Sequence, residues 1–430
     1  MRLARFFAVL SLAFAVQGFA ADNDAKQRLK AVHELGKGGS EQIPKIEAYL
    51  TDPDLDVRLE AVKAIIQIGT QFSLDPLIRA TSDNDPEVQI RAVDGLVNFY
   101  LPGYVKTGFS ASLQRAGSSI KGHFTDTNDQ VIDPYIQVRP EVIASLGKLA
   151  RGGISMESRA NSARALGILR GLSAVPDLLQ AVRNTKDSQV IYESLIALQK
   201  IRDESAGPQI HFLLRDLDEK VQTTAIETEG LLRDQGAIPD IRDVLDHTRS
   251  NKVRRYALTA MAAMPTPELH PIFVSYLENK DENLREAAAE GLGRLRNDSD
   301  QAKVKSLFDA ETKTGPRLSF AFALVEFSNR DMSDFAPLRY LVNQLNSAGY
   351  RDVARAYLIE LARDAATRQA LYSALQAPVV TKAEKTGLAQ IFARSGGADS
   401  VPYLETLSKD SDSEVAQEGL RALRNLNARL

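Results

Sequence analysis

Cysteine and tryptophan are both absent from the 430 residues. The chain therefore has no disulfide framework, no thiol nucleophile and no thiolate-ligated metal. Histidine is scarce. The five present, His33, His123, His211, His247 and His270, are scattered at long intervals, and His33-Glu34 is the one His-Glu pair. A P-loop, a dinucleotide glycine fingerprint, a nucleophile elbow and a His-Glu-x-x-His motif are all missing. An excess of one charge is missing too: 53 Lys+Arg against 56 Asp+Glu give a net charge of −3, with the signs interspersed. No basic run offers a nucleic-acid footprint, and there is no acidic tail. Asp126-Thr127-Asn128-Asp129 opens like a calcium loop, but Val131 replaces the glycine needed at the sixth position and Gln137 the bidentate Glu. These absences point to a non-enzymatic protein without a cofactor, a resident metal or catalytic residues.

Long apolar runs are also lacking, with one short exception. Arg2 and Arg5 precede the apolar stretch Phe6 to Val16, and Gly18-Phe19-Ala20 ends it in a small-x-small pattern. The run is too short to span a bilayer and matches an export signal. Residues 1–20 are expected to be a signal peptide cleaved after Ala20, leaving a periplasmic or secreted chain. No cysteine follows to carry a lipid. Loss of Arg2 and Arg5 takes the charge to 51 − 56 = −5.

What is present is repetition. Asp52-Pro53-Asp54 opens a stretch in which Val57, Ala61, Ala64, Ile65 and Ile68 fall on one helical face before Gly69. With Val57 as marker, equivalents are Val88, Val138, Ser158, Val190, Val221, Val253, Leu284, Pro316, Val353, Val380 and Val415. Most steps are 31 or 32 residues; the exceptions are 50 and 20 around Val138, and 37, 27 and 35 at the end. Prolines give a second ruler with the same spacing: Pro44, Pro76, Pro176, Pro208, Pro239, Pro271, Pro337 and Pro402. Proline suits a first helical turn, where its missing N–H would have no partner. Two independent rulers predict an array of helix pairs. One repeat cannot stand alone: ordering it costs about 1–2 kcal/mol per residue, against roughly 1.5–3 kcal/mol per buried apolar side chain. Gln27 to Gly36 reads as a half-repeat cap. The marker arginines Arg58, Arg139, Arg159, Arg254, Arg285 and Arg317 are expected to pair with acids of adjacent turns.

The ankyrin and tetratricopeptide signatures are absent. The Asp-Pro-x-x-x-Val-Arg opening resembles HEAT repeats, and the short period resembles the HEAT-like repeats of the phycobilisome-lyase type. Asp52-Pro53…Val57-Arg58, Asp85-Pro86-Glu87-Val88, Asp133-Pro134…Val138-Arg139, Val253-Arg254 and Leu284-Arg285…Gly291-Leu292-Gly293 carry the resemblance. It implies an all-α, right-handed α-solenoid of about twelve stacked antiparallel helix pairs. Residues 21–430 would form a single array, with an enlarged connection at 101–132. Di-iron hydroxylases of this repeat class need several His-Glu pairs, so their chemistry is not implied here. The bilin-lyase branch supplies the competing function, an enzyme or enzyme-maturation factor.

The function expected is a protein- or peptide-binding scaffold of the periplasm or extracellular space, with no nucleic-acid partner and no membrane span in the mature chain. The resemblance places the second helices on the binding face. Their positions three, six and ten after the marker should face solvent. These are charged in the early repeats, then turn small or apolar from Tyr256 to Ile359. Tyr256, Thr259, Arg294, Phe322, Ile359 and Arg363 are the expected partner-binding residues, an exposed apolar patch rimmed by arginine. The alternative is that the register slips there and Phe322 and Ile359 are core. Residues 104–132 read as an amphipathic helix with apolar residues from Val105 to Phe124, followed by a polar loop, Gly122 to Ile132; this is either an oversized first helix with a surface loop or a lid that modulates binding.

Overall fold

The computed structural model describes residues 24–104 and 131–430. The expected signal peptide, the lid's helix, most of its loop and the calcium-like segment 126–129 lie outside the described residues. Those described are helical, without a strand, and form two compact units. The first takes in residues 24–104 and 138–201, the second 131–137 and 202–430.

The first unit begins with a lone helix, α1 (24–35), the expected half-repeat cap. Four pairs follow. They are α2 (Ile43–Glu47) with α3 (Leu55–Ile68), and α4 (Leu74–Ala80) with α5 (Pro86–Tyr100). After these come α6 (Pro140–Gly152) with α7 (Met156–Ile168), and α8 (Val175–Arg183) with α9 (Ser188–Ile201).

The second unit holds seven pairs. In the first of them, two 3₁₀ turns, Glu204–Gln209 and His211–Arg215, replace the first helix before α10 (Glu219–Leu232). Then come α11 (Ile238–His247) with α12 (Asn251–Ala263), α13 (His270–Tyr276) with α14 (Glu282–Leu295), and α15 (Gln301–Ala310) with α16 (Thr314–Glu326). The last are α17 (Pro337–Asn343) with α18 (Arg351–Leu361), α19 (Ala365–Leu375) with α20 (Lys382–Ser395), and α21 (Val401–Leu407) with α22 (Ser413–Asn427). Segment 131–137 packs on α22, where Asp133 accepts from Arg421 (3.0 Å) and Asn425 (3.2 Å).

The architecture is thus an all-α solenoid of stacked antiparallel pairs; the described residues hold eleven pairs and the lone cap helix, against about twelve pairs expected. Val138 is not a second-helix marker: it precedes α6, a first helix whose buried stripe is Val142, Ile143, Leu146 and Leu149. Val380 likewise precedes α20. The equivalent there is Glu384, buried and held in a capping box with Thr381. With Glu384 as marker the steps of 27 and 35 disappear: 384 − 353 and 415 − 384 are both 31.

The aspartates before the second helices are N-caps. Asp54, Asp85, Asp218 and Asp412 each accept from two backbone N–H groups of the first turn. They satisfy donors that would otherwise be orphaned. Arg58, Arg254 and Arg285 close the preceding turn by donating to the carbonyls of Asp52, Thr248 and Asn279 at 2.8–2.9 Å. Arg58 and Arg285 also reach Asp83 and Glu311, and Arg139 pairs with Asp75. Arg159 instead donates to the Ala150 carbonyl, and Arg317 stacks over Phe308 and Tyr340.

Neighbouring second helices meet through a glycine nine positions after the marker. A Cβ on Gly167, Gly230 or Gly293 would lie 2.8, 2.8 or 2.6 Å from the Cα of Ala197, Ala260 or Ala323, each seven positions after the next marker. The small pair lets backbones approach so that the +4, +7 and +8 side chains interdigitate around it.

Candidate functional site

Second helices of the second unit surround a cavity of about 150 Å³. From α10 come Gly230 and Leu231, with Arg233 just beyond it, and α12 gives Thr259 and Ala263. Helix α14 contributes Glu286, Glu290 and Arg294, which its period stacks on one face. Helix α18 faces it with Tyr357, Ile359 and Glu360, and Arg202 and Arg363 complete the lining.

Arg294 organises the base. Its Nε and Nη2 donate to the two oxygens of Glu360, both at 2.9 Å. Nη1 donates to Glu290 (3.0 Å) and to the Ala262 carbonyl (2.9 Å). The guanidinium lies 5.0 Å from the centre of the Phe322 ring. Burial opposes the charge of Arg294, yet Glu360 and Glu290 hold its pKa above the ordinary arginine value. Burial would likewise raise Glu360, but Arg294 keeps it below the usual carboxylate value. The Tyr357 hydroxyl donates to Glu290 (2.6 Å) and meets the Ser319 hydroxyl at 2.7 Å. Burial, with Glu290 and Glu286 close by, pushes that phenol well above its ordinary range. The base is a hydrogen-bonded network around one cation.

The rim differs. Arg233 is about half exposed and sits 4.0 Å from Glu360, and Arg363 is exposed. Arg202 donates to the Leu231 carbonyl at 3.1 Å. The mouth therefore presents guanidinium groups over a recess in which the Glu290 and Glu360 carboxylates are already engaged. Such a mouth suits a carboxylate on an incoming chain.

Four of the six residues expected from sequence, Thr259, Arg294, Ile359 and Arg363, line this cavity; Tyr256 and Phe322 do not. The exposed apolar patch is corrected. Tyr256 is 5% exposed, Phe322 0% and Ile359 5%. The cause at Phe322 is not a slip of register, since Pro316 occupies the third position of α16 as Val57 does in α3. Instead α18 crosses α16 and reaches α14: Tyr357 stacks on Phe322 at 4.7 Å, and Glu360 pairs with Arg294. Helix α16 is buried on every side. The stripe expected to be solvated is also partly buried earlier in the chain, at Asn161, Glu193, Thr224 and Glu227. Arg164 compensates Glu193 at 2.6 Å. Sequence reasoning missed Arg202 and Arg233, twelve positions after their markers, and Tyr357 and Glu360. It also missed a grouping of His211, Glu229 and Asp234, the one described set of donors able to hold a metal.

A family model of HEAT repeats matches residues 12–97 and 238–325. The chain contains HEAT repeats. No curated protein matches this HEAT-repeat sequence. Solved structures similar to it include an engineered protein, 18% identical, at a TM-score of 0.39, covering 90% of this chain and 98% of that one. The complex of CpcE and CpcF of phycocyanin lyase from Nostoc sp. PCC7120 is 18% identical at 0.37, over 63% of this HEAT-repeat chain and 93% of the other. YibA of Escherichia coli is 14% identical at 0.41, over 69% and 96%.

Proposed function

We propose that this HEAT-repeat chain is a non-enzymatic protein- or peptide-binding scaffold of the periplasm or extracellular space. Its second-unit cavity receives an acidic side chain or a terminal carboxylate of the partner. The observation that carries this reading is the arginine mouth, Arg202, Arg233 and Arg363, over a recess on the second helices. A repeat scaffold makes one binding face from several helices, and guanidinium groups grip carboxylates with directional, charge-assisted bonds. The amino-terminal Arg2, Arg5 and apolar run support export.

The test combines fractionation with capture. The chain is recovered from the exported fraction, co-purifying proteins are identified, and capture is repeated with Arg233→Glu/Arg363→Glu. The reading expects a stoichiometric acidic partner that the double variant loses while its melting temperature is unchanged. Equal capture by both forms would remove the cavity from the account. Stoichiometric bound pigment or turnover of a bilin would favour the lyase-type alternative, and a cytoplasmic chain would refute the location.

A further inference from the structure

Eight positions after the marker, second helices turn an apolar side chain into the stack. Ten of the eleven carry Ile, Leu, Met or Phe there, from Ile65 in α3 to Leu423 in α22. The exception is Glu229 in α10. Its side chain is 0% exposed, and among the described residues neither carboxylate oxygen has a hydrogen-bond partner. A buried carboxylate left this way is costly unless a cation or a proton compensates it.

The surroundings supply the rest of a ligand set. His211 Nε2 lies 3.7 Å from Glu229 Oε1 and 2.8 Å from Asp234 Oδ2. One ligand atom from each of the three residues falls within 4.8 Å of the others. Asp234 Oδ1 is occupied by the Gly236 N–H at 2.9 Å, which turns Oδ2 toward the cluster. Gly207 makes room, because a Cβ there would stand 2.7 Å from Asp234 Cβ. His211 is 28% and Asp234 13% exposed, so the group has one side open to water. Two repeats on, His270 pairs with Asp300 at 2.8 Å while the +8 position is Leu292. A His–Asp bridge in this array therefore does not itself require a buried glutamate. Without an added cation, burial and the nearby Asp234 push the Glu229 carboxyl up to about 9.

We propose that His211, Glu229 and Asp234 form a structural site for a divalent transition metal that clips the 3₁₀ segment 204–215 to α10. One imidazole nitrogen with two carboxylates suits Zn²⁺ or Mn²⁺ rather than the all-oxygen shells of Ca²⁺ and Mg²⁺. The 2.8 and 3.7 Å separations bracket the ~3.4 Å edge of a tetrahedron with bonds of about 2.1 Å. The clip acts where regular α-helix is missing from a first-helix position. Residues 204–215 are two 3₁₀ turns containing Pro208, where every other pair has an α-helix.

The test uses the full chain stripped with EDTA and titrated calorimetrically with ZnCl₂ or MnCl₂. One equivalent should bind. Glu229→Leu, which restores the residue class of the other ten repeats, should weaken binding by more than about 100-fold. That variant should keep its circular dichroism and a melting temperature at or above wild type. Amide exchange in 204–215 should slow on metal addition in wild type and stay unchanged in the variant. Failure of both metals to bind the stripped chain, or equal binding by Glu229→Leu, would overturn the proposal.

Discussion

Replacing Arg294 by methionine keeps much of the aliphatic stem but removes the cation at the base of the cavity. The structure fixes what is lost: two bonds to Glu360, one to Glu290, one to the Ala262 carbonyl, and the contact over Phe322. Glu360 and Glu290, 23% and 14% exposed, are left without their shared cation. Breaking a buried ion pair from one side costs about 3–5 kcal/mol, because the surviving charge stays desolvated. For a body of this size, each kcal/mol moves the melting point by about 2–4 °C, so a drop of roughly 6–20 °C is expected. Repeat arrays need not melt in one step, so thermal denaturation should be paired with amide exchange, which should rise in α14 and α18 first. Acid pH acts on the same pair. Glu360 has a depressed pKa because of Arg294. Its contribution is present above the unfolded carboxylate value of 4.5 and is lost as pH falls through the folded value. The gap between wild type and Arg294→Met should therefore narrow below about pH 4.5, where the stranded carboxylates protonate. Adding Glu360→Gln to the variant should recover part of the loss. A loss under about 1 kcal/mol, or a gap that widens toward acid pH, would refute the assignment of a compensated buried pair.

Three further outcomes follow from the packing. Phe322→Ser should destabilise by about 3–5 kcal/mol, since the ring is fully buried between Tyr357 and Arg294; chemical denaturation checks it, and a neutral result would mean that α18 does not cover α16. Gly230→Ala gains about 1 kcal/mol of helix propensity but sets a Cβ 2.8 Å from Ala260 Cα, so a net loss of about 1 kcal/mol is expected in denaturant melts. Asp85→Ala removes the acceptor for the Glu87 and Val88 N–H groups at 2.8 and 3.3 Å and should cost about 1 kcal/mol, visible as faster exchange in the first turn of α5.

The period of the array was legible because two physical demands recur in most pairs: an N-cap before the second helix, and a small or apolar stripe at +4, +7 and +8 behind it. The identity of each helix was less so. Val138 fell in with the markers because first and second helices both bury one stripe, and periodicity alone does not say which helix is which. The fate of Phe322 was written in α16, where Leu318, Phe320, Ala321, Phe322, Ala323, Leu324 and Val325 leave no polar face. A helix apolar all round is buried all round. What covers it could not be read, because Tyr357 lies 38 and 67 positions from its partners Ser319 and Glu290, and Glu360 lies 66 from Arg294. Glu229 stands out in sequence as the polar residue in an apolar column. Its companions His211 and Asp234, 18 and 5 residues away, become neighbours through the turn into the next pair.

The arginines of the rim connect the packing to the proposed binding. Gly69 closes α3 in the left-handed conformation, φ +59°, which glycine adopts without strain. The same position, twelve after the marker, is Arg202, Arg233 and Arg296 in later pairs, at φ +65°, +57° and +53°. A side chain there costs on the order of 1–2 kcal/mol. Local contacts offset part of that cost: Arg202 donates to the Leu231 carbonyl, Arg233 approaches Glu360, and Arg296 pairs with Glu326 at 2.5 Å. Arg296 is thereby satisfied by the next second helix. Arg233 holds Glu360 only at 4.0 Å, and Glu360 is already held by both nitrogens of its bond with Arg294. The strain at Arg233 is thus poorly repaid inside the chain, and a carboxylate from a partner at the cavity mouth is the group that would repay it.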